Sequence, residues 1–307
     1  MSAALPAGFQ RALERMRACG TPLPLAEIAR RLLASAAPIA PDVARRIVAT
    51  ALGHDAPGSL PELLDANQLR PAAELRVADV ALARADFAVV DLETTGFSSD
   101  RDAIIEIGAV RVAGLAVADS FQTLVRPPGP GPLSDAIVAL TGIDEALLRD
   151  APTAERALPR FRRWLAAAPR ATFVAHNASF DARFTWRAMD VQGLPPLDVP
   201  VLCTCRLARR VLPRLARYDL DHLCAHFGIA NRARHRALGD AEATARALIE
   251  LLREVLERQP AATLGDLLDL QRRTTGRRRK RRRSTRSVRG DATPESASDK
   301  LARGERD

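Results

Sequence analysis

The segment Phe87-Ala88-Val89-Val90-Asp91-Leu92-Glu93 constrains the fold of this chain more than any other. Its apolar, β-branched run predicts a buried strand. Side chains alternate across a strand, so Asp91 and Glu93 emerge on the same face. Two carboxylates together in an apolar setting are electrostatically costly. The segment holds no Lys or Arg to neutralise them. Either the strand ends here in solvent or the fold brings a cation to the pair, and oxygen ligands suit a divalent metal. Asp-x-Glu alone leaves both readings open.

The surrounding pattern decides what this strand belongs to. Residues 104–112 and 120–125 read as two more strands joined by a turn near Gly114, and residues 172–175 as a fourth. Helical periodicity runs through 134–140, 153–167, 179–189, 205–212, 220–227 and 238–258. This order predicts an α/β domain over residues 85–260, with a mixed central sheet flanked by helices. Residues 1–84 read as a small all-α domain that suits a helix-turn-helix or an adaptor. Phe9, Leu13 and Met16, then Leu25, Ile28 and Leu32, then Val43, Ile47 and Leu52 recur there at helical spacing, and 61–68 fit a further short helix.

A short helical end and a disordered basic tail are expected over residues 261–307. The formal net charge is +9. The excess lies beyond residue 271, around Arg277-Arg278-Arg279-Lys280-Arg281-Arg282-Arg283. So polar a segment buries too little apolar surface to offset its ordering entropy. It suits a salt-sensitive tether to nucleic acid, a nuclear import signal or a solvated charge run.

No uninterrupted apolar run approaches the ~18 residues of a membrane helix. The first residues lack the basic and apolar regions of a signal peptide. Four cysteines (Cys19, Cys203, Cys205, Cys224) do not make a disulfide framework. These features imply a reduced cytoplasmic protein, nucleoid-associated in a bacterium, without a membrane partner. His222, Cys224 and His226, with Cys203 and Cys205, fit neither usual zinc spacing; Leu220, Leu223 and Phe227 describe an ordinary buried helical face.

Two further segments carry acids. Asn177-Ala178-Ser179-Phe180-Asp181 follows the strand at 172–175. Asn177 suits a helix N-cap, and Asp181 the first turn, where the helix dipole favours an ionised carboxylate. His235-Arg236-Ala237-Leu238-Gly239-Asp240 opens the long helix. On one continuous helix His235 and Asp240 would lie about 140° apart, so they converge only if His235 sits on the preceding loop. Taken singly, Asp181 is equally an ordinary first-turn acid and His235 a surface histidine.

As an ordered set, these segments resemble the DEDDh family of 3′–5′ exonucleases, which includes the proofreading epsilon subunit of bacterial DNA polymerase III. The first motif is Phe-Ala-Val-Val-Asp-Leu-Glu-Thr-Thr-Gly at 87–96, with Ile-Ile-Glu-Ile-Gly-Ala-Val at 104–110. The second is His-Asn-Ala-Ser-Phe-Asp at 176–181, and the third His-Arg-Ala-Leu-Gly-Asp at 235–240. Leu140-Thr141-Gly142-Ile143 matches a shorter family segment. The resemblance implies an RNase-H-like fold and a metal-dependent hydrolysis of nucleic-acid 3′ ends, DNA rather than RNA, to nucleoside 5′-monophosphates in proofreading or repair. It implies that Asp91, Glu93, Asp181 and Asp240 hold two Mg²⁺ or Mn²⁺ ions, with Asp91 bridging them. His235 would take a proton from the attacking water, and Thr94, Thr95 and Phe97 would contact the terminal nucleotide. Nucleic acid, and a DNA polymerase or repair complex, are the implied partners. The alternatives are an exoribonuclease and a catalytically idle exonuclease fold acting as a binding subunit.

Overall fold

The computed structural model describes residues 23–33, 72–129, 132–195, 197–260 and 262–272, with scattered positions between 35 and 69. The expected helix around Phe9, Leu13 and Met16, with Leu52 and the basic tail, lies outside the described residues.

The N-terminal zone contains β1 (Leu23–Pro24), α1 (Leu25–Leu32), β2 (Leu64–Asp65), β3 (Gln68–Leu69) and α2 (Ala72–Val77). Helix α1 buries Leu25, Ile28 and Ala29, the face its periodicity predicts. The expectation of an all-α zone, with a helix over 61–68, is corrected. Leu64 pairs with Leu69 and Asp65 with Gln68, and β3 also pairs with β1, making a three-stranded antiparallel sheet.

The central sheet is mixed, as the interleaved pattern predicts. Its order is β6-β5-β4-β7-β8, with β4 (Asp86–Thr94), β5 (Ile104–Ala113), β6 (Ala116–Leu124), β7 (Thr172–Ala175) and β8 (Val201–Cys203). β4 runs antiparallel to β5 and parallel to β7, which is parallel to β8. The β5–β6 turn places Gly114 at φ 56° and Leu115 at φ 63°, as a two-residue hairpin turn of the right twist requires. Strand β6 starts earlier than its pattern suggests, because its first residues are exposed and show no buried alternation.

Helices α3 (Asp135–Thr141), α4 (Glu145–Leu148), α5 (Ala154–Ala166), α6 (Ser179–Val191), α7 (Thr204–Val211), α8 (Leu220–Phe227), α9 (Ala237–Arg258) and α10 (Leu264–Arg272) complete the unit. Phe87, Val89, Val110, Val112 and Val174 pack on one face against residues of α7, α9 and α10. Ala88, Val90, Leu92 and Phe173 pack on the other against Phe161 of α5 and Phe184 of α6. β4 therefore reads as a continuous apolar run because both its faces are covered. Ala241, Ala245, Leu248 and Leu252 form one buried stripe of α9. Val77, Leu82, Leu264 and Leu267 join the first cluster, so the packing is continuous across residues 84 and 260. Gln271 of α10 accepts from the Cys203 N–H and donates to the Val201 carbonyl, both at 2.9 Å, which covers the free edge of β8.

Candidate active site

Asp91 and Glu93 occupy the end of β4 and face α9. In the β4–β5 register, Gly108 stands beside Asp91 and Glu106 beside Glu93. Gly108 lets α9 come down onto the sheet: a Cβ there would lie 2.1 Å from the carbonyl carbon of Ala237 and 2.2 Å from the Leu238 nitrogen. This backbone contact brings the His235–Asp240 segment to the first two carboxylates.

Glu106 is fully buried and, directly opposite Glu93, would add a third like charge. It accepts hydrogen bonds from Arg236 (Nε 3.1 Å, Nη2 2.8 Å), the Ala237 N–H (3.0 Å) and Gln122 Nε2 (2.8 Å). Burial acts to raise its pKa, but the Arg236, Ala237 and Gln122 hydrogen bonds outweigh it and hold the carboxylate below its ordinary value. Glu106 thus caps the N-terminus of α9 from a neighbouring strand, where the helix dipole favours a negative charge. Sequence reasoning assigned Glu106 no role; its one local signal is an acid in the middle of an otherwise apolar strand.

His235 precedes α9 on a loop, in the left-handed conformation (φ 58°) that non-glycine residues rarely adopt. Its N–H donates to Asp240 Oδ2 at 2.9 Å, while Asn231 Nδ2 donates to Oδ1 at 2.5 Å. Both oxygens of Asp240 are thereby oriented. Glu93, His235 and Asp240 offer ligand atoms within 4.8 Å of one another, the only such His/Cys/Asp/Glu group among the described residues. Cys203, Cys205 and Cys224 are free thiols outside it.

Asp181 is the third residue of α6 and is 4 % exposed. Asn177 does not cap α6, as its sequence position suggests. It takes a left-handed turn at φ 69°, and Ala178 holds the N-cap position. The turn swings the helix start toward the end of β4, where Asp181 accepts from the Leu92 N–H.

The acids perturb one another. Burial, then the charges of Asp181, Asp240, Glu93 and Glu106, push Asp91 well above the carboxylate range. Asp91 as a whole residue keeps some exposure, but its carboxyl points inward. Burial and the neighbouring Asp240 and Glu106 raise Glu93 to about 7, against a smaller opposing effect of Arg236. Burial raises Asp181 to about 8, despite the backbone hydrogen bonds that favour its charged form. Arg236 is committed to Glu106, and among the described residues no further ion pair neutralises the cluster. Crowded hard oxygen ligands without thiols fit a hard divalent cation.

A stability signature follows. With folded-state values near 7 and 8 for Glu93 and Asp181, the native state holds more protons than the unfolded chain between about pH 4 and 8. Stability of the metal-free protein should therefore fall as pH rises through that window. At pH 8, saturating Mg²⁺ or Mn²⁺ should raise the melting temperature by about 5 to 10 °C, and by less at pH 5.5. Thermal melts at both pH values check this; equal melting points with no response to the ion would refute a cation site here.

Of the three residues expected at the terminal nucleotide, Thr94 ends β4, and Thr95 and Phe97 follow it on the turn. Thr94 Oγ1 donates to the Gly96 carbonyl at 2.6 Å. Thr95 Oγ1 accepts from the Ala103 N–H at 2.9 Å and keeps its own proton to donate. Phe97 is 90 % exposed, with its ring edge-on to Phe180 at 6.5 Å.

A family model described as Exonuclease (RNase_T) matches residues 88–248, just over half of the chain. The PolC-type DNA polymerase III of Caldanaerobacter subterraneus subsp. tengcongensis is 42% identical over 172 residues, covering 56% of this chain and 12% of that protein. The PolC-type polymerase of Bacillus cereus is 37% identical over 177 residues, covering 58% of this chain and 12% of that protein. The matched part thus spans about an eighth of the length of these relatives. Among solved structures, an E. coli exonuclease I–single-stranded DNA complex aligns with a TM-score of 0.50 at 21% identity, over 61% of this chain and 42% of that one. That likeness concerns the fold. With its motifs gathered at one end of a mixed sheet and the family model spanning all three of them, the chain belongs to the exonuclease family and carries a nuclease domain of the DEDDh type.

Proposed function

We propose that the protein is a 3′–5′ exonuclease that removes nucleoside 5′-monophosphates from single-stranded DNA ends, in proofreading or repair beside a DNA polymerase. The observation that carries this reading is the convergence of Asp91, Glu93, Asp181 and Asp240 with His235 at one sheet edge. The four carboxylates would hold two divalent ions, which supply positive charge at the scissile phosphate and acidify a water there. His235 accepts the proton of the attacking water, a role suited to imidazole near neutral pH. The water oxygen joins the phosphorus, the P–O3′ bond breaks, and a proton ends on the new 3′-hydroxyl of the shortened strand. Asn231 and the His235 N–H hold Asp240 so that its oxygens face the cluster. Phe97 stacks on the terminal base, a sequence-tolerant contact, and Thr95 donates to its sugar or phosphate. Residues 85–260 carry the chemistry, with α2 and α10 as supports of the same core.

The test is digestion of 5′-labelled DNA and RNA of matched sequence, with Mg²⁺ or with excess chelator. Stepwise shortening from the 3′ end, faster on DNA and abolished by chelator, is the expected result. No shortening of either polymer with Mg²⁺ or Mn²⁺ would rule the reading out.

A further inference from the structure

The parallel strands β4, β7 and β8 end at one edge of the sheet, and charge reverses along it. Val89 pairs with Val174 and Ala175 with Cys203. Asp91 therefore stands at the end of β4, His176 and Asn177 at the end of β7, and Thr204, the start of α7, at the end of β8. From Thr204 to Arg217 the chain carries Arg206, Arg209, Arg210, Arg214 and Arg217 and no acid.

A groove of about 450 Å³ opens at this basic end, lined by His176, Asn177, Arg209, Arg217 and Tyr218 among others. Its volume is in the range of small-ligand sites. Its cations are held rather than loose. Tyr218 donates its hydroxyl to the Leu212 carbonyl at 2.7 Å and carries the Arg209 guanidinium over its ring at 5.5 Å. Arg217 Nε meets Asp219 Oδ2 at 3.1 Å, while 68% of its side chain stays exposed. Asp219 also receives His222 Nδ1 at 2.7 Å, so this groove acid is already paired. His176 bridges the two regions: its ring bonds Thr204 Oγ1 at 2.9 Å and feels both Asp240 of the acidic cluster and Arg209 of the groove.

We propose that this groove holds the sugar-phosphate backbone of the substrate strand upstream of the scissile bond, with Arg209 and Arg217 on its phosphates. The proposal rests on the exonuclease reading above and adds to it a second place where the strand is gripped. Neighbouring strands lie about 4.8 Å apart, so the ends of β4 and β8 are about 10 Å apart. A stacked strand rises about 3.4 Å per nucleotide, which places the groove two or three nucleotides from the cut. An acidic cluster repels a polyanion unless cations stand nearby. Guanidinium forks bind phosphate oxygens in pairs, and held arginines lose less entropy on binding.

The test uses the full chain and compares two substrates: a single-stranded 12-mer and the p-nitrophenyl ester of thymidine 5′-monophosphate, which is too short to reach the groove. The double variant Arg209→Ala/Arg217→Ala should lose at least about tenfold more kcat/KM on the 12-mer than on the ester, mainly through KM. The salt dependence of log KM should flatten by about 0.7 for each phosphate left without its arginine. A control, Arg246→Ala/Arg253→Ala on the outer face of α9, removes the same charge and should leave KM for the 12-mer unchanged. Equal losses on both substrates, an unaltered KM for the 12-mer, or an equal KM rise in the control would overturn the proposal. Wild-type hydrolysis of the ester reports the catalytic centre by itself. No hydrolysis of either substrate overturns the exonuclease reading and the groove with it. Hydrolysis with an unaltered KM for the 12-mer in the double variant overturns the groove alone.

Discussion

Replacing Asp91 by Asn should lower nucleotide release by about 10³-fold or more while raising the melting temperature of the metal-free protein. The two effects have one cause. Asp91 is buried and feels Asp181, Asp240, Glu93 and Glu106 together, so its negative charge is costly in the ion-free site. A neutral side chain of the same shape removes that repulsion, a gain of about 0.5 to 2 kcal/mol, or a few degrees in a domain of this size. Under the proposed two-ion reaction the same change removes a carboxylate that would hold the cations, and several kcal/mol of transition-state stabilisation would go with it. Melting curves in chelator and rate measurements in Mg²⁺ read both halves. A variant that is inactive and also markedly less stable would mean that Asp91 serves the fold rather than the cluster. Near-wild-type activity would remove it from the catalytic machinery.

Gly108→Ala should be the most damaging change outside the acidic cluster. The added Cβ would meet Ala237 and Leu238 backbone atoms at 2.1 to 2.3 Å. No side-chain rotation can relieve a clash with backbone, so the start of α9 must move. Overpacking of this kind costs about 1 to 3 kcal/mol. Its larger effect is functional, because His235 and Asp240 ride on the displaced segment, and a shift of about 1 Å in a catalytic group can cost about 10²-fold in rate. The Glu106 hydrogen bonds to Arg236 and Ala237 would lengthen too, freeing a buried charge opposite Glu93. The expected result is a fall in kcat of about 100-fold together with a lower melting temperature. Full kcat in a stably folded variant would show that the α9–β5 contact does not set the site.

Much of this was legible in the sequence. Period-two alternation placed Asp91 and Glu93 on one face of β4, and helical periodicity predicted α8 over residues 220–227, its observed span. His235 could join Asp240 only from a loop, and it does so through a left-handed backbone that no local pattern announces. Strand β8 went unseen because three residues cannot display a period. The basic stretch from Arg206 to Arg217 carries no acid, but the larger charge of the tail masked it in the overall balance.

The sequence by itself determined which chemical groups the chain owns and which face of its own element each occupies. Side-chain direction on a strand or helix is a local consequence of backbone geometry. Only the tertiary structure decided which groups meet. Glu106 and Arg236 stand 130 residues apart, and their ion pair commits to Glu106 the arginine of the His235–Asp240 segment. Burial then raises Glu93 and Asp181, and the strand order brings the start of α7, with its arginines, to the same end of the sheet. Contact between distant segments and removal of water both depend on how the elements pack, so no stretch of sequence states them.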